Sequence, residues 1–115
     1  MFPRENRLTE KSDFAKVLKE GRIFGGVLLS LAVYKGEGSF PKIGFIVSNK
    51  ISKKAVERNR LKRLIRQGIR LHLSDIKDGM YLVFLAKKTA AGAASEEIIR
   101  ESQALLKRSG VFKND

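Results

Sequence analysis

The chain is expected to fold as an α+β domain, with helices packed on one sheet. Three observations predict this. Apolar residues recur at helical spacing in residues 9–20, 53–72 and 95–108. Apolar runs bounded by Gly and Pro fill 27–34, 42–48 and 80–86. The resulting order is helix, hairpin, helix, strand, helix.

Each element follows from its residues. In TEKSDFAKVLKE, Phe14, Val17 and Leu18 form an i, i+3, i+4 stripe, and Gly21 is a natural terminator. VLLSLAVY reads as a mostly buried strand, GEGS at 36–39 as a turn, and Pro41 as the entry to KIGFIVS. These two strands are expected to pair as a hairpin with a loose loop. A polar, basic connection, NKISKK, leads into the second helix. MYLVFLA is a third long strand. In SEEIIRESQALLKR, Ser95 is the expected N-cap. Glu96 and Glu97 stand at the positive end of the helix dipole, and Lys107 and Arg108 at the negative end. A strand that returns through a helix needs a crossover, and the general preference is right-handed.

The second helix carries most of the functional information. Residues 53–70 hold eight basic residues, Lys53, Lys54, Arg58, Arg60, Lys62, Arg63, Arg66 and Arg70, against one acid, Glu57. At about 100° per residue, Leu61, Leu64, Ile65, Ile69 and Leu71 fall on one side, with Gly68 among them. Arg58, Lys62, Arg66 and Arg70 follow one another at i, i+4 down the opposite flank, with Arg63 beside them. Like charges at this spacing destabilise an isolated helix by about 0.2–0.5 kcal/mol per pair. An external polyanion removes that repulsion. Arginine forks match phosphate geometry and stack on bases, and Asn59 adds an amide between Arg58 and Arg60.

Composition agrees. The 115 residues carry a formal charge of +12, and 43% are hydrophobic, enough for a core in one domain spanning 1–115. The apolar run from Gly25 to Val33 is too short to span a bilayer, and the N-terminus lacks the apolar core of a signal peptide. With no cysteine there is neither a disulfide framework nor a thiolate zinc site, and a cytoplasmic location is expected. The lone histidine, His72, has no companion ligand, and Asp75 and Asp78 read as a solvated turn. No P-loop, dinucleotide fingerprint, metal cluster or nucleophile with a positioned base is present. The expected catalytic and metal-ligating residues are therefore none, and the chain should bind nucleic acid and not cleave it unaided.

Specific motifs sharpen this. The run Lys54-Ala55-Val56-Glu57-Arg58-Asn59-Arg60-Leu61-Lys62-Arg63-Leu64-Ile65-Arg66 resembles the arginine-rich RNR signature of the protein component of bacterial ribonuclease P. Phe2-Pro3-Arg4-Glu5 with Arg7-Leu8, Ser12-Asp13-Phe14, Ile43 to Lys50 and the LVFLAKK segment at 82–88 resemble that family in order and size.

The resemblance implies an αβββαβα fold with a mixed sheet and a left-handed βαβ crossover, a fold type shared with the second domain of a small-subunit ribosomal protein. The extra strand would lie near Arg22 to Phe24. It implies a protein subunit of ribonuclease P, a monomer joining one catalytic RNA. The RNA removes the 5′ leader of precursor tRNA with Mg²⁺, held mainly by the RNA subunit and substrate and not by the protein alone. Lys54, Arg58, Asn59, Arg60, Lys62, Arg63 and Arg66 would bind the RNA subunit. Phe14, Leu18, Lys50 and Lys87 would bind the leader, with the Phe14 ring stacking on an unpaired base. The chain departs from the family at Leu18, where relatives often carry a second aromatic, at Asn49, a frequent lysine, and at Gly25-Gly26-Val27, where Asn and Arg are common. The alternative is a ribosomal or other structural RNA-binding protein without a nuclease role, told apart by the RNA that co-purifies.

Overall fold

A computed structural model describes residues 3–114; Phe2 of the N-terminal motif lies outside them. Three helices, α1 (Lys11–Glu20), α2 (Ala55–Arg70) and α3 (Ser95–Arg108), accompany four strands. The strands are β1 (Arg22–Gly25), β2 (Leu29–Lys35), β3 (Lys42–Ile46) and β4 (Met80–Ala86). Short 3₁₀ turns stand at Arg4–Asn6, Leu73–Asp75 and Lys88–Ala90.

The strands form one mixed sheet in the order β1-β2-β4-β3. β1 pairs with β2, and β2 with β4, antiparallel; β3 runs parallel to β4. The expected hairpin between β2 and β3 is therefore absent, because β4 lies between them. Seven residues long and buried on both faces at its middle, β4 suits the centre of a sheet. Alternation and apolarity mark a strand but not its partner. The true hairpin is β1–β2, whose first strand is short and mostly exposed, so its RIFG sequence carries no periodic signal.

Alternation along the strands sends side chains to two faces. Leu29, Leu31, Val33, Ile43, Leu82 and Phe84 pack with Leu61, Ile65 and Ile69 of α2 and Ile98, Leu105 and Leu106 of α3. On the opposite face, Ala32 and Val83 pack with Leu8 and with Val17 of α1, joined at the margin by Phe14, Ile46 and Leu85. The helices thus clasp the sheet from both sides, α1 alone on one and α2 with α3 on the other.

Three local expectations are corrected. Leu71 is 79% exposed, because α2 ends at Arg70 and the chain turns away there. Leu18, assigned to the apolar stripe, is 39% exposed; Val17 takes the inward position. The residue capping α3 is Ala94, not Ser95, and no side chain caps it; Glu97 and Ile98 donate their N–H groups to the Ala94 carbonyl.

Candidate nucleic-acid interface

β3 is an edge strand, and the two layers of helix meet around it. On one side the N-terminal segment is pinned to β3. Asn6 Nδ2 donates to the Pro41 carbonyl at 2.8 Å, and the Leu8 N–H donates to the Ile43 carbonyl at 3.0 Å. This carries α1 over the strand, where the Phe14 ring rests on Gly44; a Cβ at that position would collide with the ring. On the other side α2 runs past β3 with its basic flank. The result is an open groove of about 710 Å³, lined by Arg7 and Phe14 from one side and by Lys62, Arg63, Arg66 and Arg70 from the other, with Phe45 on the strand. The Arg66 guanidinium stands 5.1 Å from the Phe45 ring centre, in range of a cation–π contact. Phe45 in turn stacks near Phe84 of the core, with ring centres 6.4 Å apart. No acidic residue lines the groove. Five cations around two aromatic rings make a site for a single-stranded polyanion whose bases can stack.

A second, smaller concavity of about 480 Å³ lies at the β3–α2 connection, lined by Asn49, Lys50, Lys53 and Arg58. Arg58 Nη1 donates to the Ser52 carbonyl at 2.9 Å, while Ser48 Oγ and Ser52 Oγ accept the N–H groups of Lys50 and Lys54 at 3.3 and 3.2 Å. These bonds shape a loop that presents its lysines outward. Its chemistry, cations and one amide, suits a phosphate.

The residues expected to act together are sorted by the structure into several places. Phe14 joins Lys62, Arg63 and Arg66 in the groove. Lys50 joins Arg58 in the second concavity, apart from Phe14. Lys54 precedes the first residue of α2, and Lys54 and Asn59 are exposed. Arg60 turns the other way. Its Nη1 pairs with Glu57 Oε2 at 3.0 Å and its Nη2 donates to the Ala93 carbonyl. Lys87 Nζ donates to the Gly26 carbonyl, at the β1–β2 turn. Leu18 is exposed on α1 and lines neither concavity.

Arg7 and Phe45 line the groove although no site role was expected for them, and Arg70, expected only as part of the basic flank, joins them. Phe45 carried a usable signal: alternation puts it on the same face as Ile43, on a strand that borders the basic helix. Lys53 carried none beyond its charge.

Among the described residues, no three His, Cys, Asp or Glu side chains gather to hold a metal ion. The described residues thus offer no all-protein cage for Mg²⁺. His72 is packed against Phe112, with ring centres 5.7 Å apart.

The whole arrangement has close counterparts. The sequence profile of the family described as Ribonuclease P matches residues 2–110. A ribonuclease P protein component from a Pseudanabaena strain is 37% identical over 113 residues, covering 97% of each chain. That of Clostridioides difficile is 34% identical over 111 residues, covering 96% of each. The RNase P protein of Staphylococcus aureus superposes with a TM-score of 0.84 at 25% identity, covering 94% of this chain and 98% of that one. The RNase P protein of Thermotoga maritima, in complex with 1-(4-fluorophenyl)-2-thiourea, superposes with a TM-score of 0.79 at 26% identity, covering 89% of this chain and 98% of that one.

Proposed function

This chain belongs to the ribonuclease P protein family, and on that premise we propose that it grips the RNA subunit with α2 while the groove along β3 holds the leader of precursor tRNA. As a family member it is an RNA-binding protein subunit of an endoribonuclease that acts in tRNA processing.

In this reading residues 1–115 are one RNA-binding domain, and one copy joins one RNA. The RNA is the catalyst, hydrolysing the phosphodiester between the 5′ leader and the mature tRNA, in the cytoplasm. Mg²⁺ for that reaction is assigned to phosphates of the RNA subunit and substrate. No helix among the described residues is long and apolar enough to cross a membrane.

One observation carries the division of work: α1 and α2 lie on opposite faces of the sheet, yet Phe14 and the Lys62–Arg66 flank line the same groove. A leader strand laid along β3 would meet an aromatic ring on one wall and cations on the other. Such a site reads an unpaired strand by stacking and charge, with little demand on base identity. Arg58, Lys50 and Lys53, at the far end of α2, are left for phosphates of the RNA subunit. About eight residues of helix separate Arg58 from Arg66, or about 12 Å of axis, enough to engage two different strands.

The test is reconstitution. The purified chain alone should leave precursor tRNA intact. With a bacterial ribonuclease P RNA it should restore correct 5′ cleavage at Mg²⁺ concentrations too low for the RNA alone. Cleavage by protein free of RNA, or no effect on the RNA's activity, would overturn the reading.

A further inference from the structure

We propose that Arg60, although inside the arginine-rich signature, is a positioning residue and not an RNA ligand: with Glu57 it clamps α2 to the turn ahead of α3. The proposal rests on the reading of the chain as an RNA-binding subunit.

Both terminal nitrogens of the guanidinium are already engaged. Nη1 is bonded to Glu57 Oε2 at 3.0 Å and Nη2 to the Ala93 carbonyl. The same carboxylate oxygen accepts the Gly92 N–H at 3.0 Å. Glu57 and Arg60, paired with each other, thus make two contacts from the first two turns of α2 to residues 92–93. Gly92 has φ of 75°, in the left-handed region that favours glycine, so the turn has one defined shape for the carboxylate to meet. Both side chains are largely withdrawn from solvent, 25% exposed for Arg60 and 21% for Glu57.

Turning the bonded edge of Arg60 to a phosphate would break its charge-assisted bond to Glu57 and its bond to the Ala93 carbonyl. It would also leave the Glu57 carboxylate without its cation beside a polyanion. The neighbouring Asn59 and Arg63 are exposed, and no such tie holds them inward.

The clamp has a consequence for binding. Tying α2 to this turn fixes the helix, and with it the cations of its exposed flank, against the rest of the fold. A folded RNA then meets cations already at their final spacing, which spares the ordering that binding would otherwise demand.

The experiment measures affinity of the full chain for a ribonuclease P RNA transcript across a salt series. It compares the unsubstituted chain with Arg60→Ala, Arg60→Lys and Lys53→Ala, at a temperature where circular dichroism shows each folded. Arg60→Ala and Arg60→Lys should both weaken binding by about three- to tenfold without changing the slope of log K against log [salt], because a contact geometry is lost and not a phosphate contact. Lys53→Ala, in the concavity assigned to the RNA subunit, should flatten that slope by about 0.7–0.9. A flattened slope in Arg60→Ala, with affinity retained in Arg60→Lys, would make Arg60 a ligand and overturn the proposal. Unchanged affinity and slope with only a lowered Tm would make it a strut without influence on binding, and would overturn it equally. If Arg60→Ala does not fold, Arg60→Lys decides alone, since a ligand role tolerates it and the clamp does not. An unsubstituted chain that binds no such RNA would overturn the functional reading and the proposal together; the other outcomes arise only when that reading stands.

Discussion

At the β3 edge of the sheet, Lys62, Arg63, Arg66 and Arg70 line an open groove with no acid in its walls. At the β1 edge, Arg108 donates to the Gly25 carbonyl, Lys87 to the Gly26 carbonyl, and Thr89 Oγ1 to the Val27 carbonyl at 2.6 Å. There Glu101 completes the frame, accepting the N–H groups of Val27, Leu28 and Leu29 at 3.1, 2.8 and 2.6 Å. The two edges use the same cationic residue types. At one they face open space, and at the other their donors satisfy a turn. A cation whose donors already serve the fold is less free to turn toward a polyanion, so charge alone overstates the binding surface.

This contrast can be broken most sharply at Glu101. Glu101→Leu leaves three backbone donors without their acceptor, at a cost of about 2–4 kcal/mol after allowance for partial solvent access. Thermal unfolding should show Tm lower by roughly 10–20 °C, while the salt slope of RNA binding, measured on the folded protein in the cold, stays put. A changed slope would mean that the β1 edge touches RNA.

The opposite signature is expected at the β3 edge. Replacing Lys62 and Arg66 together by Ala should flatten the slope of log K against log [salt] by about 1.4–1.8. Tm should move far less than in Glu101→Leu, although Arg66 gives up its place over Phe45. An unchanged slope would confine these side chains to solvent.

Phe14 sharpens the comparison within the groove. Phe14→Leu keeps an apolar group on Gly44 but removes the stacking face. Loss of about 1–3 kcal/mol in affinity for precursor tRNA, with mature tRNA unaffected, is the expected result of direct and competition binding assays. Equal losses for both RNAs would assign Phe14 to the core alone. The smallest effect belongs to Lys87→Met. It should lower Tm by a few degrees, in keeping with about 0.5–1.5 kcal/mol for one hydrogen bond, and leave the salt slope within error. Flattening by a full contact would return Lys87 to the RNA-facing set.

Some of this was legible in the chain. The 80–86 strand and the 95–108 helix match the observed bounds residue for residue, because a long apolar run and a three-residue stripe (Ile98, Leu105, Leu106) are local signals. The pairing of β2 with β4 was not, because a strand's partner is chosen by packing far along the chain. The basic flank of α2 was evident from spacing. That Arg60 and Lys87 are occupied was not, since their partners, Ala93 and Gly26, lie 33 and 61 residues away. The groove itself also escaped a linear reading: Phe14 and Lys62 belong to different layers, and only the edge position of β3 brings them together.

The place of β4 between β2 and β3 has a consequence for the order of assembly. During synthesis the chain emerges from its N-terminus, so β1, β2, β3 and the basic helix all appear before residue 80. Until β4 inserts, β3 has no neighbouring strand in the sheet, only its bridge to the N-terminal segment at Arg7. The pairing that ties β3 to the rest of the sheet is therefore postponed to the last third of translation, and this long-range closure is the slow kind. A nascent or truncated chain that stops short of residue 80 carries all the charge of the second helix but no groove. The walls of the groove come together only as the sheet closes.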